Sequence, residues 1–282
     1  MMSDNNFKTS IQSCVEIAIR EDLGDGDLTA SLIPEDKRGE GSIISRVDCI
    51  LCGTDWVERT FHSLDSSIQL EWHHKDGNRV ASGQSICSLA GPARALLTGE
   101  RTALNFLQTL SAVATKTNHY VRAVAHTKAK ILDTRKTMPN LRTALKYAVK
   151  TGGGENHRIG LFDGVLIKEN HIIACDGISN AMKSTKHIDE RITIQIEVES
   201  LPQLREAIDN GATSILLDNF TLQSMRDAVR IAEGKALLEA SGGITLDSIV
   251  TIAETGVDRI SIGALTKDIE AIDLSMRLTF NN

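Results

Sequence analysis

The 282-residue sequence lacks the features that mark membrane, secreted and nucleic-acid-binding proteins. No apolar run approaches the roughly 20 residues that a membrane-spanning helix needs. Residues 1–10 are polar, without the apolar core of a signal peptide. No block of lysine or arginine rises above the background, and the net charge is -6, which argues against a nucleic-acid surface. We therefore expect a cytoplasmic enzyme or binding protein that acts on small molecules, with no membrane or nucleic-acid partner.

Cysteine is also scarce, with five residues in the chain. An odd number of cysteines in a long chain argues against a disulfide framework. Cys49 and Cys52 form one C-x-x-C pair, but no second pair accompanies it. Buried thiols on a strand are therefore favoured over a zinc or redox site.

The sequence changes its pattern near residue 129. Before this point, short strand-like runs such as GSIISRV, SIQLEW and QSICSLA predict a sheet-rich unit, and apolar spacing within 99–117 predicts a long amphipathic helix. Beyond it, six apolar strands alternate with helical stretches. They are KILDTRK, GVLIKEN, TIQIEVES, SILLDNF, ALLEASGG and RISIGALT. Repeated strand-helix units of this size predict parallel strands with covering helices.

The polar residues of these six strands favour a barrel over an open, doubly wound sheet. No G-x-G-x-x-G or Walker-type loop follows the first strand. Instead, every strand carries its polar residues at the same end, which is how a (β/α) barrel builds an active site from many strands. Six units predict a barrel that is short of eight strands.

Collecting these strand ends gives the candidate site. In chain order they carry Asp133, Thr134, Arg135 and Lys136, then Lys168 and Glu169, Glu197 and Glu199, Asp218 and Asn219, Glu239, Ser241, Gly242 and Gly243, and finally Ser261 and Gly263. His157 and Arg158 lie on the loop that enters the second strand. Any one of these could be a solvated loop charge, but cations and carboxylates converging on one barrel mouth indicate an active site.

The residue types indicate the kind of substrate. The glycines of ASGGI and SIGALT suit phosphate binding by backbone N–H groups, although two tight turns would have the same composition. The cations around Arg135 and Arg158 exceed what one phosphate requires, and arginine suits planar carboxylates. Glu197 and Asp218 could hold Mg²⁺ together with substrate phosphates, which points to a pyrophosphate group.

These segments together resemble a known family. DTRKTMPNLR, GGGENHRIGLFDGVLIKENHI, IEVES, LLDNF, EASGGI and DRISIGALTK are similar, in order and spacing, to the motifs of quinolinate phosphoribosyltransferases. EDLGDGDLT and GERTALNFLQ resemble the N-terminal signatures of that family. The resemblance implies an N-terminal α/β sandwich over 1–115, with the tail 270–282 packing back on it, and an incomplete barrel of about six parallel strands over 116–269.

The resemblance also implies a reaction and residue roles. Quinolinate and phosphoribosyl pyrophosphate would give nicotinate mononucleotide, pyrophosphate and CO₂ with Mg²⁺, in a homodimer with a shared active site. Quinolinate would be bound by Thr134, Arg135, His157, Arg158 and Lys168, and by Arg101 of the neighbouring subunit. Phosphoribosyl pyrophosphate would be bound by Lys136, Lys168, Glu197, Asp218, Ser241, Gly242, Gly243, Ser261, Ile262 and Gly263. The catalytic residues would be Lys136, Lys168, Glu197 and Asp218, of which Glu197 and Asp218 would face the metal.

Three alternatives remain at the level of sequence. A relative of the same fold could use another carboxylated acceptor such as nicotinate. A Schiff-base aldolase barrel would use Lys168 as its nucleophile, which requires a desolvated lysine. A phosphate-binding protein without catalysis would leave the other charged groups unexplained.

Overall fold

The computed structural model describes residues 4–280, and these divide into two compact units. The first unit comprises residues 4–116, 138–152 and 268–280, and the second comprises residues 117–137 and 153–267. Within the described residues, no helix has the length and apolar character required to cross a membrane.

The helices and strands alternate only in part of the chain, mainly from β6 onward. The helices are α1 (Asp4–Leu23), α2 (Thr54–Leu64), α3 (Ala93–Ala123), α4 (Arg142–Thr151), α5 (Glu169–Ala174), α6 (Ile178–Ser184), α7 (Leu201–Asp209), α8 (Leu222–Ala232), α9 (Leu246–Ala253) and α10 (Ala264–Lys267), with a 3-10 turn at Ala30–Leu32. The strands are β1 (Arg38–Ser45), β2 (Cys49–Ile50), β3 (Gln69–Trp72), β4 (Arg79–Val80), β5 (Ser85–Pro92), β6 (Lys130–Leu132), β7 (Gly164–Ile167), β8 (Thr193–Val198), β9 (Ser214–Asp218), β10 (Leu237–Ser241), β11 (Arg259–Ser261) and β12 (Leu274–Phe280).

The first unit is built on an antiparallel sheet in the order β12-β1-β5-β3. Its apolar face packs on α2 and α3 through a core that includes Ile43, Phe61, Ile86 and Leu104. β12 closes the sheet against β1, where a Cβ at Gly41 would lie 2.5 Å from the Arg277 carbonyl oxygen. The C-terminal tail thus joins this unit as far as the described residues extend, and residues 281–282 lie outside them.

The assignment of segment 138–152 differs from the domain division expected from sequence, which placed this segment in the barrel. It belongs to the first unit, because α4 packs there through Tyr147. The Tyr147 ring lies 5.2 Å from Phe7 and 5.5 Å from Trp56 between centroids, and its hydroxyl donates to Asp76 at 2.9 Å.

The cysteines of the first unit are buried thiols. Cys49 is 3% exposed and Cys52 is fully buried, and both are free of disulfides. Burial raises the pKa of both thiols, which disfavours the thiolate that a metal or redox site would need. The prediction that these thiols are buried is confirmed, although only Cys49 lies on a strand, β2.

The second unit holds the predicted parallel sheet, in the order β6-β11-β10-β9-β8-β7. All six strands expected from sequence are present, and β9 in its centre is buried over its first four residues. Among the helices between them, α7 and α8 begin at side-chain caps, where Ser200 accepts the Gln203 N–H and Thr221 accepts the Ser224 N–H. A single bridge pairs Leu132 of β6 with Glu155 at the free edge. The mixed α/β class with an incomplete barrel is therefore confirmed.

Candidate active site

The carboxyl ends of the six parallel strands bring the predicted barrel residues to one edge of the second unit. The shared edge carries Thr134, Arg135 and Lys136 after β6, Lys168 after β7, Glu197 in β8, Asp218 at the end of β9, Ser241 at the end of β10 and Ser261 at the end of β11. Because parallel strands point the same way, their ends form a common rim, which we call the mouth of the barrel.

Asp133 supports the loop that enters β7. Its side chain is fully buried, and its two carboxylate oxygens accept the Asn156 side-chain N–H at 2.6 Å and the His157 backbone N–H at 2.8 Å. The bridge between Leu132 and Glu155 holds the same loop by its backbone. Asp133 is therefore a structural clamp that fixes where His157 and Arg158 lie.

His157 is held from both sides of its ring. Its Nδ1 lies 2.8 Å from the Arg158 backbone N–H, and its Nε2 lies 2.8 Å from Gln195 Oε1. Gln195 Nε2 in turn donates to the buried carboxylate of Glu239 at 2.9 Å. The ring is fixed by this network, beneath the mouth of the barrel.

Arg135 and Arg158 concentrate positive charge on one side of the mouth. Arg158 donates to the Gly164 carbonyl oxygen at 2.9 Å. Burial lowers the pKa of the Arg158 guanidinium, and the neighbouring charge of Arg135 lowers it further, against the opposing effect of Asp163. In the described part of the chain, the buried Nε of Arg135 has no hydrogen-bond partner. Two cations in this arrangement favour an anionic ligand.

Asp163 shapes the loop that carries Arg158. Its carboxylate accepts the backbone N–H groups of Ile159 and Gly160, both at 2.8 Å. This closes a tight loop before β7, so that the chain returns to the sheet directly after Arg158. The loop is thus fixed at Asp133 on one side and at Asp163 on the other.

Lys168, Glu197 and Asp218 form a charged group on the adjacent strands. Lys168 Nζ lies 3.0 Å from Glu197 Oε2, with the lysine side chain 50% exposed and the glutamate 14% exposed. Burial raises the pKa of Asp218, and repulsion from Glu197 adds to this rise, while Lys168 and Lys136 oppose it. Two neighbouring carboxylates facing lysines suit a substrate that carries both a cationic centre and phosphates.

The glycine-rich turn after β10 lies against Asn219. Gly242 has a φ of +111°, and a Cβ at this position would lie 2.1 Å from Asn219 Oδ1. Asn219 adopts a left-handed φ of 55°, donates its backbone N–H to the Ser241 carbonyl oxygen, and donates its side-chain N–H to Asp218 at 2.9 Å. Only glycine fits at 242, and the turn is thereby coupled to the Asp218 carboxylate.

The first turn of α9 is closed by its own side chains. Thr245 and Ser248 form a reciprocal capping box at this end of the helix. The capping box uses backbone N–H groups at this helix terminus, and phosphate binding by Ser241, Gly242 and Gly243 remains a prediction.

The turn after β11 lies beside Lys136. A Cβ at Gly263 would lie 3.0 Å from Lys136 Cδ, so the lysine side chain crosses directly over this glycine. The Ile262 N–H is already used in the sheet, where it donates to the Leu132 carbonyl oxygen at 2.9 Å. The Ile262 N–H is therefore not free to donate to a phosphate, and the assignment of Ser261, Ile262 and Gly263 to phosphate binding remains a prediction.

Arg101 belongs to the first unit, in α3. It is exposed and lines a cavity of about 500 Å³ together with Asp22, Asp27, Thr98 and Thr102. Asp27 fixes one wall of the cavity, because it accepts the backbone N–H groups of Thr29 and Ala30 and the Thr98 hydroxyl. The family resemblance implies that Arg101 acts in the active site of a neighbouring subunit, and that assignment remains a prediction.

Three residues of this network were not found from sequence. Asn156 and Asp163 are loop residues whose partners depend on the folded loop. Gln195 stands inside an apolar strand, two residues before Glu197. The only available signal was strand alternation, which places Gln195 and Glu197 on the same face of β8.

Comparison with known proteins gives matches over nearly the whole chain. The family described as "Quinolinate phosphoribosyl transferase, N-terminal domain" matches residues 27–111, and the corresponding C-terminal domain matches residues 113–277. A probable carboxylating nicotinate-nucleotide pyrophosphorylase of Bacillus subtilis (strain 168) is 43% identical over 263 residues, which cover 93% of this chain and 91% of that protein.

Solved structures agree with this match. The nicotinate-nucleotide pyrophosphorylase of Francisella tularensis has a TM-score of 0.94 and 45% identity, and the alignment covers 96% of this chain and 97% of that one. The structure of the protein with the same name from Ehrlichia chaffeensis has a TM-score of 0.91 and 36% identity, with 99% of both chains covered.

Proposed function

This chain belongs to the quinolinate phosphoribosyl transferase family, and we propose that the residues at the mouth of its barrel carry out the reaction of that family. The protein transfers the phosphoribosyl group of phosphoribosyl pyrophosphate to quinolinate and releases pyrophosphate and CO₂. The product is nicotinate mononucleotide, a precursor in NAD biosynthesis.

The proximity of Arg135 to Arg158 is the observation that most favours a dicarboxylate as the acceptor substrate. Each guanidinium presents a planar set of donors that matches a carboxylate. The charge of Arg135 lowers the pKa of Arg158, so an anion bound between them would relieve their repulsion. We assign quinolinate to this side of the mouth, next to Thr134, His157 and Lys168.

Glu197 and Asp218 are suited to stabilise the positive charge that develops on the ribose of phosphoribosyl pyrophosphate. Displacement of pyrophosphate from the anomeric carbon builds positive oxocarbenium character on the ring, which nearby carboxylates stabilise electrostatically. Lys168 is already paired with Glu197, and Lys136 crosses the adjacent turn. The two lysines would neutralise the departing pyrophosphate, while Ser241–Gly243, Ser261 and Gly263 would hold the 5′-phosphate.

Mg²⁺ fits this site only together with a substrate. The described residues contain no group of three or more His, Cys, Asp or Glu side chains that could hold a metal ion. The pair of Glu197 and Asp218 provides two carboxylates, which is the usual protein share for Mg²⁺ when phosphates supply further ligands. When bound, the ion would supply electrostatic neutralisation of the pyrophosphate.

Decarboxylation follows from the transfer itself. After ribosylation the ring nitrogen is cationic and stabilises the electron pair that loss of the adjacent carboxylate as CO₂ leaves on the ring carbon, and this carbon then takes up a proton from water. The protein then contributes positioning and charge, without a covalent nucleophile. Lys168 supports this view, because a half-exposed lysine paired with Glu197 lacks the desolvation expected of a Schiff-base nucleophile.

We also propose a homodimer in which Arg101 of each subunit completes the site of the other. Arg101 is exposed beside a cavity of its own unit, which makes its guanidinium accessible to a second copy of the chain. A third arginine would suit the second carboxylate of quinolinate.

The direct test is product formation by the purified protein. With Mg²⁺, quinolinate and phosphoribosyl pyrophosphate, we expect nicotinate mononucleotide and CO₂ in equal amounts, measured by chromatography and by release of labelled CO₂. Nicotinate in place of quinolinate serves as the matched control acceptor. Absence of product, or equal turnover of nicotinate, would contradict the assignment. Borohydride trapping with a sugar phosphate should give no covalent adduct at Lys168.

A further inference from the structure

Glu239 is a buried carboxylate that no proposed catalytic step uses. It lies in β10, two residues before Ser241, and its side chain is 1% exposed. Its Oε2 accepts a hydrogen bond from Gln195, whereas Oε1 has no hydrogen-bond partner among the described residues. This oxygen lies 3.7 Å from His157 Nε2. An incompletely satisfied buried carboxylate destabilises a core, so a second role would explain its presence.

The chemistry of the network fixes the direction of every hydrogen bond in it. A carboxylate only accepts, so Gln195 must turn its NH₂ group toward Glu239 and its carbonyl oxygen toward His157. That carbonyl also only accepts, so His157 must carry its proton on Nε2. The opposite side of the ring agrees, because Nδ1 faces the Arg158 backbone N–H and must accept from it.

We propose that Glu239 and Gln195 are positioning residues for quinolinate, acting through His157 to hold Arg158 in the orientation that binds a carboxylate. The inference rests on the proposed function of the mouth of the barrel. Glu239 selects the Nε2–H tautomer of His157, and the resulting Nδ1 lone pair holds the Arg158 backbone in place. Because both ring nitrogens face protein groups, His157 acts on the substrate through Arg158.

The strand geometry explains why such a network can reach the mouth. Gln195 and Glu197 project to the same face of β8, as Glu239 and Ser241 do on β10. Gln195 and Glu239 therefore form a polar layer directly below the predicted substrate layer. Their effect should fall on quinolinate, because the path through His157 ends at Arg158 and touches neither Lys136 nor the glycine-rich turns.

The first experiment tests the tautomer without catalysis. In ¹⁵N-histidine-labelled protein free of substrates, at a pH where histidines are neutral, NMR should show the His157 proton on Nε2, with the signal assigned by a His157→Asn variant. Glu239→Gln replaces the carboxylate by a group that both donates and accepts, so the His157 ring shifts should move toward a mixture of tautomers.

The second experiment tests the consequence for substrate binding. Glu239→Gln should raise the KM for quinolinate about tenfold, the effect of losing one oriented charge-assisted hydrogen bond. The KM for phosphoribosyl pyrophosphate and kcat should change by less than about threefold. Glu206→Gln, an exposed carboxylate on α7, is the matched control and should leave all parameters unchanged.

A double variant separates positioning from stability. Gln195→Leu combined with Glu239→Leu removes both buried polar groups, so its melting temperature should equal or exceed that of the wild type. Its KM for quinolinate should nevertheless rise as in Glu239→Gln. A wild-type His157 ring protonated on Nδ1, or a folded double variant with wild-type KM for quinolinate, would overturn the proposal. An inactive wild-type protein would instead refute the proposed function. The NMR measurement of the His157 tautomer would still test whether Glu239 and Gln195 orient the ring.

Discussion

Gly242 is the tightest point of the turn after β10, and alanine at this position tests how that turn is coupled to the proposed catalytic carboxylate. An added Cβ would lie 2.1 Å from Asn219 Oδ1, 2.9 Å from its Cγ and 3.2 Å from its backbone nitrogen. The Asn219 side chain must therefore move, and its 2.9 Å hydrogen bond to Asp218 is lost. Gly243 provides a matched control, because a Cβ there meets nothing within 4 Å.

The magnitudes differ for a physical reason. Gly243 has a φ of +55°, in the left-handed region, where alanine costs about 1–2 kcal/mol. Gly242 has a φ of +111°, and an alanine strained there costs about 1–3 kcal/mol. Displacement of Asn219 adds the loss of one hydrogen bond to a charged group, about 1.5–3 kcal/mol. Gly242→Ala should therefore destabilise the protein by about 2–3 kcal/mol more than Gly243→Ala.

The assay combines unfolding with kinetics. Gly242→Ala should melt several degrees below Gly243→Ala in calorimetry. Its kcat/KM for phosphoribosyl pyrophosphate should be lower by about tenfold or more, since about 1.4 kcal/mol in the barrier corresponds to tenfold in rate. Equal melting temperatures and equal kcat/KM values for the two variants would refute the argument that the Gly242–Asn219 contact supports the site.

Three further predictions concern the charged residues. Burial and Glu197 raise the pKa of Asp218 above its ordinary 3.8, so ionising Asp218 destabilises the native state as pH rises through this range. Asp218→Asn should abolish turnover yet raise the melting temperature at neutral pH, and this gain should vanish in acid, where the carboxyl is protonated in both states. Lys168→Met should lower kcat/KM at least about 100-fold, as expected for loss of a preorganised charge in the transition state. Arg101→Ala and Lys136→Ala, each nearly inactive, should regain activity when mixed with verified subunit exchange, and no recovery would contradict a shared site.

The six-stranded architecture could be predicted because each strand is recognisable from its own local sequence. Segments such as ILLD at 215–218 are apolar in their body and polar at one end, as parallel strands covered on both faces must be. The spacing between such segments leaves room for one helix each, which is enough to predict the order of the chain. The rim of charged residues then follows because parallel strands end at the same edge of the sheet.

The division into units could be predicted only in part, because an amphipathic helix does not reveal which core it faces. The sequence of α4 gives an apolar stripe on one side, but its assignment to the first unit depends on Phe7, Trp56 and Tyr147 meeting across 140 residues of chain. The hydrogen bond from Tyr147 to Asp76 is equally non-local. Periodicity carries no information about such pairings.

The candidate site shows the same contrast between local and non-local information. The charged residues of its rim could be predicted from sequence, whereas the buried layer beneath them could not. Rim residues such as Lys168 and Asp218 stand where apolar runs end, and a charge at such a position is recognisable in the sequence. Gln195 and Glu239 lie one layer deeper and are 44 residues apart in the chain. The proposed role of each depends on its hydrogen bond to the other. A lone glutamine in a strand reads as an ordinary alternating polar residue. Its orientation, and with it the tautomer of His157, is dictated by a carboxylate on another strand, so the hydrogen-bond directions in this site depend on contacts between strands inside the incomplete barrel.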